Sequence, residues 1–153
     1  MYKRILVAVD GSDTSLLALE EAIKLAKDQS ANLRILHVMD LAPAYTMMEG
    51  MPMAIADYKA ITQQAADKLM ANIADKLSSS SVNFDQKLEL IESFRSRISD
   101  AINRQADEWP ADLIVIGTHG RHGFDRLLLG SVAEGVVRTG NTPVLLIRGV
   151  EKT

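Results

Sequence analysis

Gly117-Thr118-His119-Gly120, followed nine residues later by Gly130-Ser131-Val132, is the part of this sequence best suited to chemistry. It follows the apolar run Leu113-Ile114-Val115-Ile116 and leads into a segment with helical spacing. Glycine lets backbone approach a ligand closely or take a positive φ. A helix starting at Gly130-Ser131 offers unpaired N–H groups and the positive end of its dipole. Such a combination holds phosphate at the end of a strand. Each glycine also has a local explanation as a turn residue, and Ser131 can simply cap the helix. Three glycines and a hydroxyl in one strand–loop–helix segment nevertheless point to a nucleotide. The pattern is not a Walker loop, because no Gly-Lys-Ser/Thr occurs, nor a dinucleotide fingerprint, because no Gly-x-Gly opens it.

Other residues carry weaker signals. Asp10 can accept a hydrogen bond from a ribose or an amine, help hold a hydrated magnesium ion, or cap the first helix. Arg121 and Arg126 lie inside the glycine loop and can screen phosphate charge, with solvated surface arginines as the plainer alternative. His119 and His122 have a three-residue spacing that suggests a metal, but no clear carboxylate or further histidine accompanies them, and a surface pair is expected. His37 ends an apolar run and is expected to be a structural, hydrogen-bonded residue. Nothing in the sequence supplies Ser131 with a histidine base, which argues against a nucleophile. Met47, Met48, Met51 and Met53 crowd one irregular segment, either as an adaptable contact surface or as a loop patched onto the core.

These residues need elements to position them. Ile5 to Val9 is a continuous apolar run closed by Asp10-Gly11-Ser12, as expected for a strand buried on both faces. Ser12 or Asp13 can cap a helix with Leu16, Leu19, Ala22, Ile23 and Ala26 on one side. Leu33 to Met39 reads as a second strand, and Leu41 to Ala56 as irregular, with Pro43, Gly50 and Pro52. A long helix is expected from about Asp57 to Leu77, with Ile61, Ala65, Leu69, Ile73 and Leu77 as its apolar stripe. Lys87 to Ile91 alternates like a strand nearer a sheet edge. Arg95 to Trp109 reads as a helix stopped by Pro110, Leu113 to Ile116 as strand four, Ser131 to Thr139 as a helix and Val144 to Ile147 as strand five.

Alternation of strands and helices predicts an α/β domain with a mainly parallel sheet and helices on both faces. If strand order reverses between strands one and four, Asp10 and Gly117 flank the switch-point crevice where ligands bind. The 153 residues are expected to form one domain, 1–153, with a real core. A net charge of −3 gives no electrostatic case for nucleic acid or an anionic membrane. The absence of cysteine excludes disulfides and thiolate chemistry and is compatible with a cytoplasmic setting. No apolar run approaches membrane length, and the opening one is too short for a signal-peptide core, so the protein is expected to be soluble.

Several of these segments together resemble the universal stress protein family. They are Ile5-Leu6-Val7-Ala8-Val9-Asp10-Gly11-Ser12, Leu36-His37-Val38, Gly117-x-x-Gly120 with Gly130-Ser131, and Thr142-Pro143-Val144-Leu145-Leu146-Ile147. The resemblance implies a three-layer α/β/α sandwich around a five-stranded parallel sheet of order 3-2-1-4-5, and often a homodimer through the last strand, here Val144–Ile147. The glycine motif looks like that of the ATP-binding branch. Carried over by position, Ala8, Val9 and Asp10 would line the adenosine side and Val38 would meet the adenine edge through its backbone. Ile116 and Gly117 would contact base or ribose, while Gly120, Gly130, Ser131, Val132 and Ala133 would surround the phosphates, with Arg121 nearby. Ala133 has no hydroxyl, so its contact would come from its N–H.

Three functions follow as alternatives. The leading one is a nucleotide-dependent regulatory module of the stress response, binding ATP with magnesium. A second is a slow ATPase or a phosphoryl- or adenylyl-transfer enzyme. With no Walker lysine and no general base evident, little or no turnover is expected. A third is a dimeric interaction scaffold independent of nucleotide, since an apolar edge strand invites pairing with its own copy.

Overall fold

Five parallel strands form one sheet in the order β3-β2-β1-β4-β5, within a computed structural model that describes residues 1–119 and 129–149. The strands are β1 (Arg4–Ala8), β2 (Asn32–Asp40), β3 (Phe84–Ile91), β4 (Leu113–Gly117) and β5 (Val144–Ile147). The helices are α1 (Asp13–Gln29), α2 (Ala42–Met47), α3 (Pro52–Ser78), α4 (Ile98–Glu108) and α5 (Ser131–Thr139). Strand β1 is central, with Ala8 paired to Leu36 of β2 and Val7 to Val115 of β4. The chain builds outward from β1 to β3, then crosses to the other side of β1. Strand order therefore reverses between β1 and β4, the predicted place.

Alternation of side chains along each strand divides the core in two. Ile5, Val7, Leu33, Ile35, Leu113 and Val115 face one layer and pack with Leu19 and Ala22 of α1 and Ile73 and Leu77 of α3. Leu6, Leu36, Ile114 and Ile116 face the other and pack with Ile102 and Ala106 of α4 and Ala133 and Val136 of α5. Because both faces are covered, β4 must be apolar at every position, and all five of its residues are buried. Each large aliphatic side chain fully removed from water here contributes about 1.5–3 kcal/mol of transfer free energy. Arg34 of β2 bridges the edge: its Nε and Nη2 donate to Asp85 of β3 at 2.8 and 2.6 Å, and its guanidinium lies 4.7 Å from the centre of the Trp109 ring.

The largest departures from the sequence expectation lie at four elements, α2, α3, β3 and α4. The segment read as irregular contains α2, and α3 starts at Pro52 rather than Asp57. Pro43 and Pro52 both sit in a first helical turn, where the missing N–H has no helical partner to lose. Gly50, at φ 77°, supplies the turn between the two helices. The expected stripe of α3 also shifts: Ile61 is 67% exposed and Ala65 is exposed, whereas Ala66, Met70, Ile73 and Leu77 are buried. A strict four-residue spacing drifts about 40° around the helix at each step, while mixed three- and four-residue steps stay on one face. Strand β3 begins at Phe84 rather than Lys87, because backbone pairing with β2 starts at Leu33↔Phe84 regardless of apolar pattern. Finally, α4 begins at Ile98 rather than Arg95, since Ser93 holds the preceding residues in a turn through Arg95 N and Ser96 N.

Candidate functional site

The end of β1 is tied down on both sides. Val9 N–H donates to Leu36 O at 2.9 Å, and His37 Nδ1 lies 2.7 Å from Val9 O. A carbonyl can only accept, so His37 carries its proton on Nδ1 and donates. His37 is thus the structural, hydrogen-bonded residue expected. Asp10 Oδ1 accepts from Ser12 N at 2.9 Å, and Asp10 N–H donates to Ser15 Oγ at 3.3 Å. Gly11, at φ 82°, makes the reversal between them. Ser12 caps α1, its Oγ accepting from Ser15 N at 3.2 Å. Of the three helix-capping candidates, Ser12 takes the cap, Asp13 is the first helical residue, and Asp10 shapes the approach by accepting from Ser12 N.

The end of β4 is closed by backbone contacts. Thr118 N–H donates to Ile147 O at 2.9 Å, and Thr118 O accepts from Gly130 N–H at 2.7 Å. This last bond brings the two halves of the glycine motif together. Gly130 adopts φ −59° and ψ 151°, a conformation open to any residue. Glycine is required there by contact: a Cβ would stand 2.9 Å from Thr118 O. Gly117 is explained in the same way, since a Cβ would stand 2.7 Å from Thr14 Cγ2 in the first turn of α1.

Helix α5 starts at Ser131, and its first internal bond runs from Glu134 N to Gly130 O. The amides of Ser131, Val132 and Ala133 therefore precede the helical ladder, and no side chain caps this end among the described residues. Ser131 is exposed, Val132 partly buried, and Ala133 buried at 2% exposure, so Ala133 can offer a ligand only its N–H.

The structure brings most predicted site residues to one edge of the sheet. Ala8, Val9 and Asp10 end β1 beside Ile116 and Gly117 at the end of β4, with Gly130 bonded across to Thr118. Val38 lies two residues beyond the partner of Ala8 on β2, against the α4–α5 layer. Gly120 and Arg121, with His122 and Arg126, lie outside the described residues. Thr118 Oγ1 and His119 Nδ1 are 2.9 Å apart. Among the described residues no group of three His, Asp or Glu side chains could hold a metal ion.

Sequence reading missed the cavity beside this edge. It measures about 480 Å³ and lies between the N-terminal turns of α4 and α5 and the end of β2. Its lining includes Asp40, Phe94, Arg97, Ser99, Ser131 and Val132. The only available sequence signal was Gly135, where a Cβ would meet Ser99 Oγ at 2.5 Å, and a helical glycine alone does not name its neighbour.

The profile of the universal stress protein family matches residues 1–148. A universal stress protein of Methanocaldococcus jannaschii is 33% identical over 153 residues, covering 99% of this chain and 85% of its own. The universal stress protein UspA from Lactobacillus plantarum superposes with a TM-score of 0.81 at 27% identity, covering 96% of this chain and 98% of its own. Two solved relatives hold nucleotides. One, from Archaeoglobus fulgidus, is in complex with dAMP (TM-score 0.66, 25% identity, covering 95% and 98% of the two chains). Another universal stress protein is in complex with cAMP (TM-score 0.59, 28% identity, covering 96% and 97%). With its sheet order, its glycine-linked helix start and these matches, the chain belongs to the universal stress protein family.

Proposed function

We propose that this protein is an adenine-nucleotide-binding regulatory module of the stress response, acting in the cytoplasm as one domain over residues 1–153. The observation that carries the reading is the start of α5. Three consecutive amides, at Ser131, Val132 and Ala133, precede the helical ladder beside the switch point between β1 and β4. Their direction and the helix dipole suit the phosphates of ATP. Relatives that hold dAMP and cAMP support an adenine base. The base and ribose would lie along Ala8, Val9, Asp10, Val38, Ile116 and Gly117, and the phosphates at Gly120, Gly130, Ser131, Val132 and Ala133 with Arg121. Magnesium fits as an ion carried by the phosphates, which needs only one or two protein carboxylates, and Asp10 is the candidate. Little or no turnover is expected, because among the described residues no general base is evident beside Ser131.

Calorimetric titration of nucleotide-stripped protein with magnesium-ATP tests this reading. Saturation near one site per chain is expected. Folded, empty protein that takes up no adenine nucleotide refutes it. A second reading, homodimerisation through β5, is favoured by the position of that strand at the sheet edge with Leu145 and Leu146 each 36% exposed.

A further inference from the structure

Helix α3 reaches well beyond the layer it belongs to. Lys76 Nζ meets Glu20 Oε1 of α1 at 3.0 Å, which sets the level of the two helices against each other. From Glu20, α1 extends back seven residues to its start at Asp13, and from Lys76, α3 extends back twenty-four to Pro52. At 1.5 Å per residue these lengths are about 10 and 36 Å, so α3 stands roughly 25 Å clear of the start of α1. The overhang is not anchored in the core. The buried residues of α3 are Ala66, Met70, Ile73 and Leu77, and before Ala66 its one ion pair among the described residues is Lys59 with Glu92 at 3.4 Å.

This overhang carries a second apolar stripe. Met51, Ala54, Tyr58, Ile61 and Ala65 follow one another at alternating steps of three and four, the spacing of a helix that pairs with another helix. At about 100° per residue the stripe lies roughly 120° around α3 from the buried one. Water reaches it: Met51 is 58% exposed, Tyr58 36% and Ile61 67%, and Ala65 is exposed as well. Alanine on either side of Tyr58 and Ile61 lets a second helix approach closely.

Antiparallel pairing with a second copy satisfies the stripe and its charges together. Setting Tyr58 against Ile61 of the second copy also sets Ala54 against its Ala65, and the two-fold axis repeats both layers. Lys68, the next position along the seam, then falls beside Met51 and Glu49 of the second copy. Within one chain neither Lys68 nor Glu49 is in an ion pair among the described residues. Parallel pairing would instead set Lys68 against Lys68 and Glu49 against Glu49, which like charges oppose.

We propose that the overhang of α3 is a self-association surface, joining two copies of this chain as an antiparallel helix pair centred between Tyr58 and Ile61. Helix α3 packs on β2, while β5 is the opposite edge of the sheet, so this contact does not compete with pairing through β5. A single helix pair of about 25 Å falls below the roughly 1,200 Å² of stable complexes, and the association is therefore weak and reversible.

Disulfide trapping reads such a contact, and the chain has no cysteine of its own. Full-length Tyr58→Cys and Ile61→Cys would be mixed and treated with oxidised glutathione, which takes up the two electrons and two protons released by each new bond. Intact mass separates the mixed disulfide from the two homodisulfides. The mixed form is expected to exceed either homodisulfide, and to exceed a Lys24→Cys control by about fivefold or more, because a disulfide needs its two backbones within about 7 Å. Lys24 supplies the control because its side chain is 70% exposed on α1, away from the seam. Adding Ala65→Glu to both proteins places a charge in the seam and should return the yield to that of the control. Yields equal to the control throughout overturn the proposal. Homodisulfides in excess overturn the antiparallel arrangement, and a mixed disulfide that survives Ala65→Glu overturns the seam.

Discussion

The Thr118 carbonyl oxygen accepts the Gly130 amide at 2.7 Å, and a Cβ built on Gly130 would stand 2.9 Å from the same oxygen. One contact thus closes the glycine loop and demands that its last residue have no side chain. Gly130→Ala should destabilise the protein by about 1–3 kcal/mol, the usual range for forced overpacking. Urea denaturation measures this directly, and an unchanged midpoint would show that the loop yields at no cost. Substitution at Gly130 is accordingly a poor probe of phosphate binding, because the fold responds as well.

Ser131 is the cleaner probe. Its side chain is exposed and makes no cap bond, so Ser131→Ala should leave the denaturation midpoint in place. If the hydroxyl meets phosphate, affinity for magnesium-ATP should fall by roughly tenfold, the worth of about 1–1.5 kcal/mol. Equal affinity for wild type and variant in a calorimeter would remove the Ser131 hydroxyl from the site.

Gly117 answers to α1 in the same way that Gly130 answers to the loop. A Cβ there would lie 2.7 Å from Thr14 Cγ2 and 3.2 Å from the Thr14 backbone carbonyl. Gly117→Ala should cost about 1–3 kcal/mol of stability. Adding Thr14→Ser removes the nearer atom, and the double variant should recover part of the loss. A double-mutant cycle with no coupling would separate the two residues energetically.

Arg34 joins β2 to β3 and to the end of α4. Hydrogen bonding to Asp85, opposed by burial and aided by the charge of Asp85, holds its pKa above the ordinary arginine value. A raised folded-state value stabilises fully below the unfolded pKa and is lost only as pH rises through the folded one, far into alkali. Arg34 therefore introduces no pH dependence near neutrality. Arg34→Lys keeps the charge but loses the two-pronged bond and the guanidinium's place over the Trp109 ring, and should cost about 1–2 kcal/mol. Thermal melts of the two proteins would show this, and matching curves would contradict it.

The free side of β5 gives a test of self-association. Pro143 O and Ile147 O both accept from β4, so the backbone groups of Val144 and Leu146 face away from it. Leu146→Pro removes an outward N–H and leaves the inner ladder its donors and acceptors. In analytical ultracentrifugation the wild type is expected to sediment as a dimer and this variant as a folded monomer. A wild type that stays monomeric at high concentration, or a variant that still dimerises, counts against pairing through β5.

How far the sequence reaches is clear from individual residues. Ile5 to Val9 and Leu113 to Ile116 declare buried strands because covering both faces of a sheet forbids polar residues there, and that pressure acts on every position locally. The start of α5 was legible because the glycine, the hydroxyl and the following helical spacing are consecutive. The start of α3 was not: Pro52 looks the same in sequence whether it breaks a helix or opens one. The stripe of α3 was misplaced because only the sheet beneath it selects Ala66 and Met70 over Ala65 and Leu69.

The amino-acid sequence by itself determined the order and kind of the main elements, the parallel sheet and the family, since these follow from periodicity and from short consecutive motifs. Tertiary structure alone decided what each glycine is for. Gly117 makes room for Thr14, Gly130 for the Thr118 carbonyl and Gly135 for Ser99, three neighbours distant along the chain. It also decided that Arg97 and Ser99 meet the first turn of α5 around one cavity. Close approach between separate elements depends on how they pack, and no local pattern in the chain records the partner.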